Sequence, residues 1–169
     1  MLHLLPFLLM HFFLFSRYKI VRKINRADFS AFFLVALFGG AVGTIAMVKA
    51  LFLVNFKELS VVILLQKLQP VFAILLAAVI LRERVKGKFY LWASIAIIAS
   101  YFLTFGREIP DISTQANTVL ASVYAVLAAF SFAMGTVMGK KVMYKYDFKT
   151  ATFIRYGLTA LIMLPYVLI

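Results

Sequence analysis

The sequence predicts an all-α fold, a polytopic bundle of membrane-spanning helices. Of its 169 residues, 64% are hydrophobic and 14% are charged, and the mean hydropathy is +1.00. Soluble domains are roughly 45–50% apolar and about 25% charged. A chain of this length and composition lacks the polar surface that an ordinary soluble enzyme domain, a disordered chain or a secreted disulfide scaffold requires. Since it contains no cysteine, disulfide and thiolate chemistry are also excluded.

Five apolar stretches have about the 20 residues that an α-helix needs to cross a bilayer, and a sixth is shorter. The five predicted full helices are Phe29–Val54, Leu59–Leu81, Phe89–Phe105, Thr118–Met138 and Thr150–Ile169. The sixth stretch, Leu2–Phe15, is followed by a basic run, whereas a secretory signal is preceded by one. We therefore expect Leu2–Phe15 to be the second part of a truncated N-terminal transmembrane helix.

The loops between these stretches alternate in charge. Thirteen of the 18 basic residues lie in the loops at 16–28, 82–88 and 139–149, and only Lys57 and Arg107 lie in the other two loops. Because short basic loops stay in the cytoplasm, this asymmetry predicts that the three basic loops are cytoplasmic. The chain is then a multi-pass protein of the cell (inner or plasma) membrane.

The net charge of +12 does not indicate nucleic-acid binding, because most of it lies in three short clusters beside the membrane. No aromatic-lined groove or nucleic-acid motif accompanies these clusters. They are explained as topology determinants that also contact anionic lipid headgroups. The partners we expect are the lipid bilayer, a small-molecule substrate, and either a second copy of the chain or a complementary half-chain, with no nucleic acid.

Three cationic side chains lie at membrane depth in the predicted helices: Lys49, Lys67 and Arg155. Each costs about 2.5–3.5 kcal/mol on insertion scales, so each is a candidate functional residue. Lys49 lies near the outer end of its helix and Arg155 near the cytoplasmic end. Both can instead extend to the headgroups as anchors, and Tyr156, beside Arg155, is equally ambiguous.

Lys67 is the strongest candidate, because Gln66, Gln69 and Pro70 surround it. Pro70 cannot donate a hydrogen bond to the carbonyl of Gln66, and it tends to kink a helix. A broken helix with a free carbonyl, two amides and one ammonium favours a binding site for a polar ligand near mid-membrane. The alternative is that the Gln side chains only bond neighbouring helices.

The glycine pairs Gly39 with Gly43 and Gly135 with Gly139 are each four residues apart on one helix face, which predicts close helix packing. All six acidic residues lie in loops or at helix ends, which disfavours a membrane proton relay. The sequence has no phosphate-binding glycine loop, catalytic triad, paired carboxylates or metal-ligand spacing. We therefore expect no catalytic residues, no metal and no cofactor.

Four segments resemble the drug/metabolite transporter superfamily, EamA type. The run that begins Gln69-Pro70-Val71-Phe72 and ends Arg82-Glu83-Arg84 resembles the fourth-helix signature of that family. Phe89–Phe105 is similar to its fifth helix, Gly39-Gly40-Ala41-Val42-Gly43 resembles its third, and Phe153-Ile154-Arg155-Tyr156 resembles the opening of the second helix of a repeat. Arg82 departs from the pattern, which usually has glycine at that position.

The resemblance implies a place for each part of the chain. Family members are usually ten-helix carriers built from two inverted five-helix repeats. On that scheme, residues 1–105 are the end of the first repeat (helices 2 to 5) and residues 118–169 the start of the second (helices 6 and 7), so we expect a fragment of a longer carrier. For Glu83, the resemblance implies a gating or structural role beside ion pairs with Arg82 and Arg84.

These features predict a secondary transporter that moves a small polar metabolite by alternating access. The predicted pocket is lined by Lys49, Gln66, Lys67, Gln69, Arg155 and Tyr156. Three cations without a buried anion favour an anionic or zwitterionic substrate. Two alternatives remain: a truncated remnant or subunit that needs a partner chain to transport, and a membrane-anchored enzyme.

Overall fold

The computed structural model describes residues 8–9, 24–55, 59–84, 87–105 and 116–168, and every regular element in these ranges is helical. The elements are α1 (Arg26–Ala36), a π-helical segment (Leu37–Val42), α2 (Gly43–Leu53), α3 (Leu59–Gln66), α4 (Gln69–Ile80), α5 (Gly87–Phe105), α6 (Ala116–Met143) and α7 (Phe148–Leu168). The predicted all-α fold is confirmed. Apart from Leu8 and Leu9, the predicted truncated helix Leu2–Phe15 lies outside the described residues.

Among the described residues, three helical stretches are long and apolar enough to cross a membrane: Arg26–Leu53, Leu59–Ile80 and Asn117–Met143. The other two predicted spans also form helices, α5 over Gly87–Phe105 and α7 over Phe148–Leu168.

The chain divides into two compact units, of which the first contains residues 1–42 and 134–169. In this unit α1 and the π-helical segment pack along α7. The buried cluster of this unit contains Phe32 of α1, Val142 of α6, and Phe153 and Ile154 of α7. Asn25 begins α1 as its N-cap, because its side chain accepts a hydrogen bond of 2.7 Å from the backbone N–H of Asp28.

The second unit contains residues 43–133. In this unit α3 packs against α2 and α5, and the buried cluster contains Ala50, Val54, Val62, Ala121 and Ala125. Three of these five residues are alanines with no exposed surface, so the helix backbones approach closely with little side chain between them.

The apolar span Leu59–Ile80 is interrupted at Lys67 and Leu68, between α3 and α4. There the backbone N–H groups of Lys67 and Leu68 donate to the carbonyls of Leu64 and Leu65, three residues back, at 2.9 and 3.1 Å. Pro70 follows in the first turn of α4. A proline is well tolerated in a first turn, because its missing N–H would have no partner within the helix. Pro70 therefore starts a new helix rather than kinking the interior of one.

Arg82 lies just beyond the end of α4 with a φ of 54°, in the left-handed region. Glycine adopts this conformation readily, whereas other residues pay roughly 1–2 kcal/mol for it. The family pattern that this segment resembles usually has glycine at this position, and the left-handed backbone of Arg82 is one that favours glycine.

Candidate functional site

The break between α3 and α4 brings four of the predicted site residues to one cavity. Gln66, Lys67, Gln69 and Pro70 line a cavity of about 500 Å³ together with Met47 and Ile63. The polar side chains come from the last turn of α3, the break itself and the first turn of α4. The local interruption of the helix is therefore what gathers them.

Within this group, Gln66 and Lys67 have different surroundings. The side-chain amide of Gln66 donates a hydrogen bond of 3.1 Å to the backbone carbonyl of Ala125 in α6. This bond joins α3 to α6, which is the packing role that the sequence left open for a glutamine here. Lys67 is exposed and makes no ion pair with any residue in the described ranges.

Lys67 and Pro70 also line a second cavity of about 310 Å³, between α4 and α5. Its other lining residues are Val71, Ile74, Phe89, Trp92, Ala93, Ala96 and Ile97. In the sequence, Trp92 near a helix end is typical of an interfacial aromatic belt, and no pattern singled out Phe89. The available signal was the helical spacing of Phe89, Trp92, Ala93 and Ala96, which places them on one face of α5.

Lys49 lies in the same unit but lines neither of these two cavities. Its ammonium nitrogen is 5.7 Å from the centroid of the Tyr124 ring, so Lys49 makes a cation–π contact that joins α2 to α6. This contact is a packing interaction. A role for Lys49 in binding substrate stays a prediction.

Arg155 belongs to the first unit, where it faces the π-helical segment. Its guanidinium donates to the carbonyl of Gly39, and the hydroxyl of Thr159 donates to the carbonyl of Ala36, both at 3.4 Å. Arg155 and Thr159 are four residues apart, so both lie on one face of α7. A π-helix is rare and is frequently associated with functional sites. Here two side chains of α7 satisfy carbonyls at its edge.

Arg155 also lines a cavity of about 80 Å³ beside Phe32, Val35 and Gly139. Small-molecule sites enclose about 300–1,000 Å³, so this space is too small for a metabolite. Tyr156 is half-buried in the same unit. The predicted site residues are thus described in two separate units, Arg155 and Tyr156 in the first and the lysine–glutamine group in the second.

Gly39 and Gly135 touch through their backbones within the first unit. A Cβ atom added to Gly39 would lie 2.9 Å from the Cα of Gly135, and one added to Gly135 would lie closer still to the Cα of Gly39. Gly43 is buried in the second unit. Gly139 differs from Gly39 and Gly135, because a Cβ there would meet no atom within 4 Å.

A polar cluster that the sequence did not predict lies at one end of the first unit. The carboxylate of Asp28 accepts hydrogen bonds from the Lys145 ammonium at 2.8 Å and from the Tyr146 hydroxyl at 3.0 Å. The bond to Asp28 raises the pKa of Lys145. Burial, and secondarily the bond to Asp28, raises the pKa of Tyr146. The cluster joins α1 to the turn between α6 and α7.

The part of the chain that the structure describes holds no group of three or more His, Cys, Asp or Glu residues that could bind a metal ion. Among the described residues, the polar groups that line these two cavities are one ammonium, two amides and the indole N–H of Trp92. This set binds and orients a ligand through hydrogen bonds.

Residues 1–105 match the model of the EamA-like transporter family. The chain belongs to this family of membrane transporters, as its fourth-helix segment predicted. It is also 48% identical over 164 residues to the riboflavin transporter ImpX of Fusobacterium nucleatum subsp. nucleatum, an alignment that covers 96% of this chain and 54% of the relative. The chain thus spans about half the length of this relative. No solved structure matches it.

Proposed function

We propose that this protein takes part in the transport of riboflavin across the cell membrane. One observation carries the proposal: nearly the whole chain aligns, at 48% identity, with a protein named as a riboflavin transporter. The polar break inside the apolar span Leu59–Ile80 supports it, because a transporter needs a binding site for its substrate at membrane depth.

Riboflavin changes the expected substrate from a charged metabolite to a neutral one. It consists of a planar isoalloxazine ring, with carbonyl oxygens along one edge, and a ribityl chain of hydroxyl groups. A lysine ammonium carries three hydrogen-bond donors, and a glutamine amide carries donors and an acceptor. Lys67 and Gln69 are therefore suited to the oxygens of a neutral ligand, and an anionic or zwitterionic substrate is no longer favoured.

The proposed mechanism is alternating access, in which the substrate occupies a site that opens to one side of the membrane at a time. Lys67 and Gln69 hold the substrate in the second unit, with Gln66 and Lys49 as further candidate contacts there. Roles for Arg155 and Tyr156, in the first unit, stay predictions from the sequence. The loops at 16–28, 82–88 and 139–149 lie in the cytoplasm, in agreement with the distribution of basic residues.

Riboflavin uptake tests this proposal in a bacterium that neither makes nor imports the vitamin. The cells express either this chain alone or a chimera in which the chain replaces the matched segment of the relative, with the intact relative as a positive control. Uptake by the chain alone supports the proposal and rejects the non-transporting remnant. Uptake by the chimera alone supports the proposal and indicates that a complementary segment is needed. Uptake at the vector level by both overturns it.

A further inference from the structure

We infer that the 310 Å³ cavity between α4 and α5 holds the isoalloxazine ring of the substrate, with Trp92 stacked on the ring. The inference rests on the proposed function and adds the residues that recognise the ring. The volume of the cavity falls within the range of about 300–1,000 Å³ that small-molecule sites occupy.

The lining of this cavity suits a flat aromatic ring. Among the described residues that line it, Lys67 is the only charged one, and the others are apolar or aromatic. Phe89 and Trp92 lie one turn apart on α5, and Ala93 and Ala96 leave the helix surface beside the indole open. Aromatic side chains bind planar heterocycles by stacking on their faces, and such a contact tolerates a ligand without charge.

The two cavities of the second unit match the two halves of riboflavin. Both are lined by Lys67 and Pro70, so they lie beside each other at the break between α3 and α4. Beyond that point one cavity is apolar and the other contains the amide side chains of Gln66 and Gln69. The ring fits the apolar cavity and the hydroxyl-bearing chain fits the polar one. The Lys67 ammonium then lies where the ring and the ribityl chain join.

A lipid acyl chain is the competing occupant of an apolar cavity in a membrane protein. An acyl chain cannot form hydrogen bonds with the Lys67 ammonium or with the side-chain amides of Gln66 and Gln69. The side chain of Trp92 is 66% exposed, so its ring face is accessible to a ligand. Riboflavin accounts for the ammonium, the amides and the exposed indole together.

Trp92 is the single tryptophan of the chain, so its fluorescence reports on this cavity alone. The first experiment titrates the purified full chain, in liposomes without any other protein, with riboflavin, with lumiflavin (the ring without the ribityl chain) and with ribitol. We expect saturable quenching by riboflavin and lumiflavin and none by ribitol. Because riboflavin itself quenches Trp92, the test for lipid compares brominated with unbrominated phosphatidylcholine. Without ligand this fluorescence ratio should lie below 1, and saturating riboflavin should bring it towards 1 by displacing the acyl chains. A ratio that riboflavin leaves unchanged would assign the cavity to lipid and overturn the inference.

The second experiment measures riboflavin uptake by the chimera with Trp92→Ala or Tyr90→Ala. Tyr90 is a matched control, because it is an exposed aromatic residue of the same helix that does not line the cavity. Loss of a stacking contact should raise the KM of Trp92→Ala at least about tenfold, whereas Tyr90→Ala keeps the parent value. Equal KM values for Trp92→Ala and the parent would overturn the ring site while leaving the proposed function intact. Absence of uptake by the parent chimera is the distinct result that removes the proposed function.

Discussion

Lys67 lies at a position where folding alone would favour an apolar side chain, so its ammonium points to a functional role. An unpaired ammonium at membrane depth costs about 2.5–3.5 kcal/mol, and leucine removes that cost with similar bulk. Lys67→Leu should therefore preserve or raise expression and thermal stability while abolishing riboflavin uptake by the chimera. The readouts are fluorescence-detected size exclusion after heating and radiolabelled uptake.

Lys49→Leu is the matched control for this variant. It removes the cation–π contact with Tyr124, worth about 0.5–1 kcal/mol at an exposed site, and should lower stability slightly with a milder effect on uptake. Normal uptake by Lys67→Leu contradicts a binding role. Loss of stability and uptake together would instead identify Lys67 as a structural residue.

Arg82 has a left-handed backbone conformation, which glycine adopts without strain. Arg82→Gly should raise the stability of the purified chain by about 1 kcal/mol or less, since relief of roughly 1–2 kcal/mol of strain is partly offset by the greater freedom of glycine in the unfolded chain. Thermal unfolding followed by circular dichroism measures the change. Arg84→Gly removes the same charge at a position without positive φ, and it should stabilise nothing. An equal gain in both variants would assign the effect to charge.

The sequence predicted the lysine–glutamine group but not Phe89 and Trp92, the aromatic residues that line the neighbouring cavity. Polar residues in an apolar run stand out by type, so residue type alone identifies Gln66, Lys67 and Gln69. Trp92 near a helix end is equally compatible with an interfacial belt, and only the cavity that residues of α4 and α5 line together shows its other role. The bond from Gln66 to a carbonyl 59 positions away has no signal in residue type.

At the scale of helices, the contact between Gly39 and Gly135 predicts opposite effects for two similar substitutions in α6. Gly135→Ala should lower the stability of the chain by about 1–3 kcal/mol, because the new methyl group overlaps the backbone of Gly39, which has no side chain to move aside. Gly139→Ala should raise stability by up to about 1 kcal/mol, because its methyl group meets open space and alanine favours a helix. Thermal unfolding of the two variants in detergent is the measurement. Similar losses in both would refute the backbone contact.

The ion pair between Asp28 of α1 and Lys145, in the turn before α7, makes the stability of the protein depend on pH. The folded-state pKa of Lys145 is raised, so the pair stabilises the folded protein fully below the ordinary lysine pKa of about 10.4. This stabilisation is lost as the pH rises through the folded-state pKa. Lys145→Met should therefore cause a small loss of thermal stability that is constant from about pH 6 to pH 9 and shrinks above about pH 10.4. Lys149→Met, an exposed control with the same charge change, should show no such dependence. A Lys145→Met penalty that varies within the neutral range would contradict this assignment.

The apolar runs of the sequence predicted where the helices lie. They did not predict the exact places where these helices are interrupted, because those depend on local turns and on partners far away in the sequence. The proline in the fourth-helix segment correctly indicated a break, although the turn lies just before it, at Lys67 and Leu68. The π-helical segment was not predicted. It lies where Arg155 and Thr159 bond to backbone carbonyls more than a hundred residues away in the sequence, and no local pattern reports such partners.

For the whole molecule, the charge asymmetry of the loops predicts the membrane topology. The natural chain has no cysteine, so single introduced cysteines report their own exposure. In intact cells, an impermeant maleimide should label Lys57→Cys and leave Arg84→Cys unlabelled until the membrane is permeabilised. Labelling of Arg84→Cys in intact cells would show that the orientation is reversed.

The first unit is discontinuous in sequence, and this has a consequence for the order of events during synthesis. Arg155 and Thr159 follow their carbonyl partners by 116 and 123 residues, and Lys145 follows Asp28 by 117. A ribosome that adds about 5–20 residues per second makes each early group wait roughly 6–25 s for its partner. The second unit is a continuous stretch of chain and completes its contacts sooner. During translation, the π-helical segment and Asp28 are therefore inside or beside the membrane before Arg155 and Lys145, the residues that bond to them, have been synthesised.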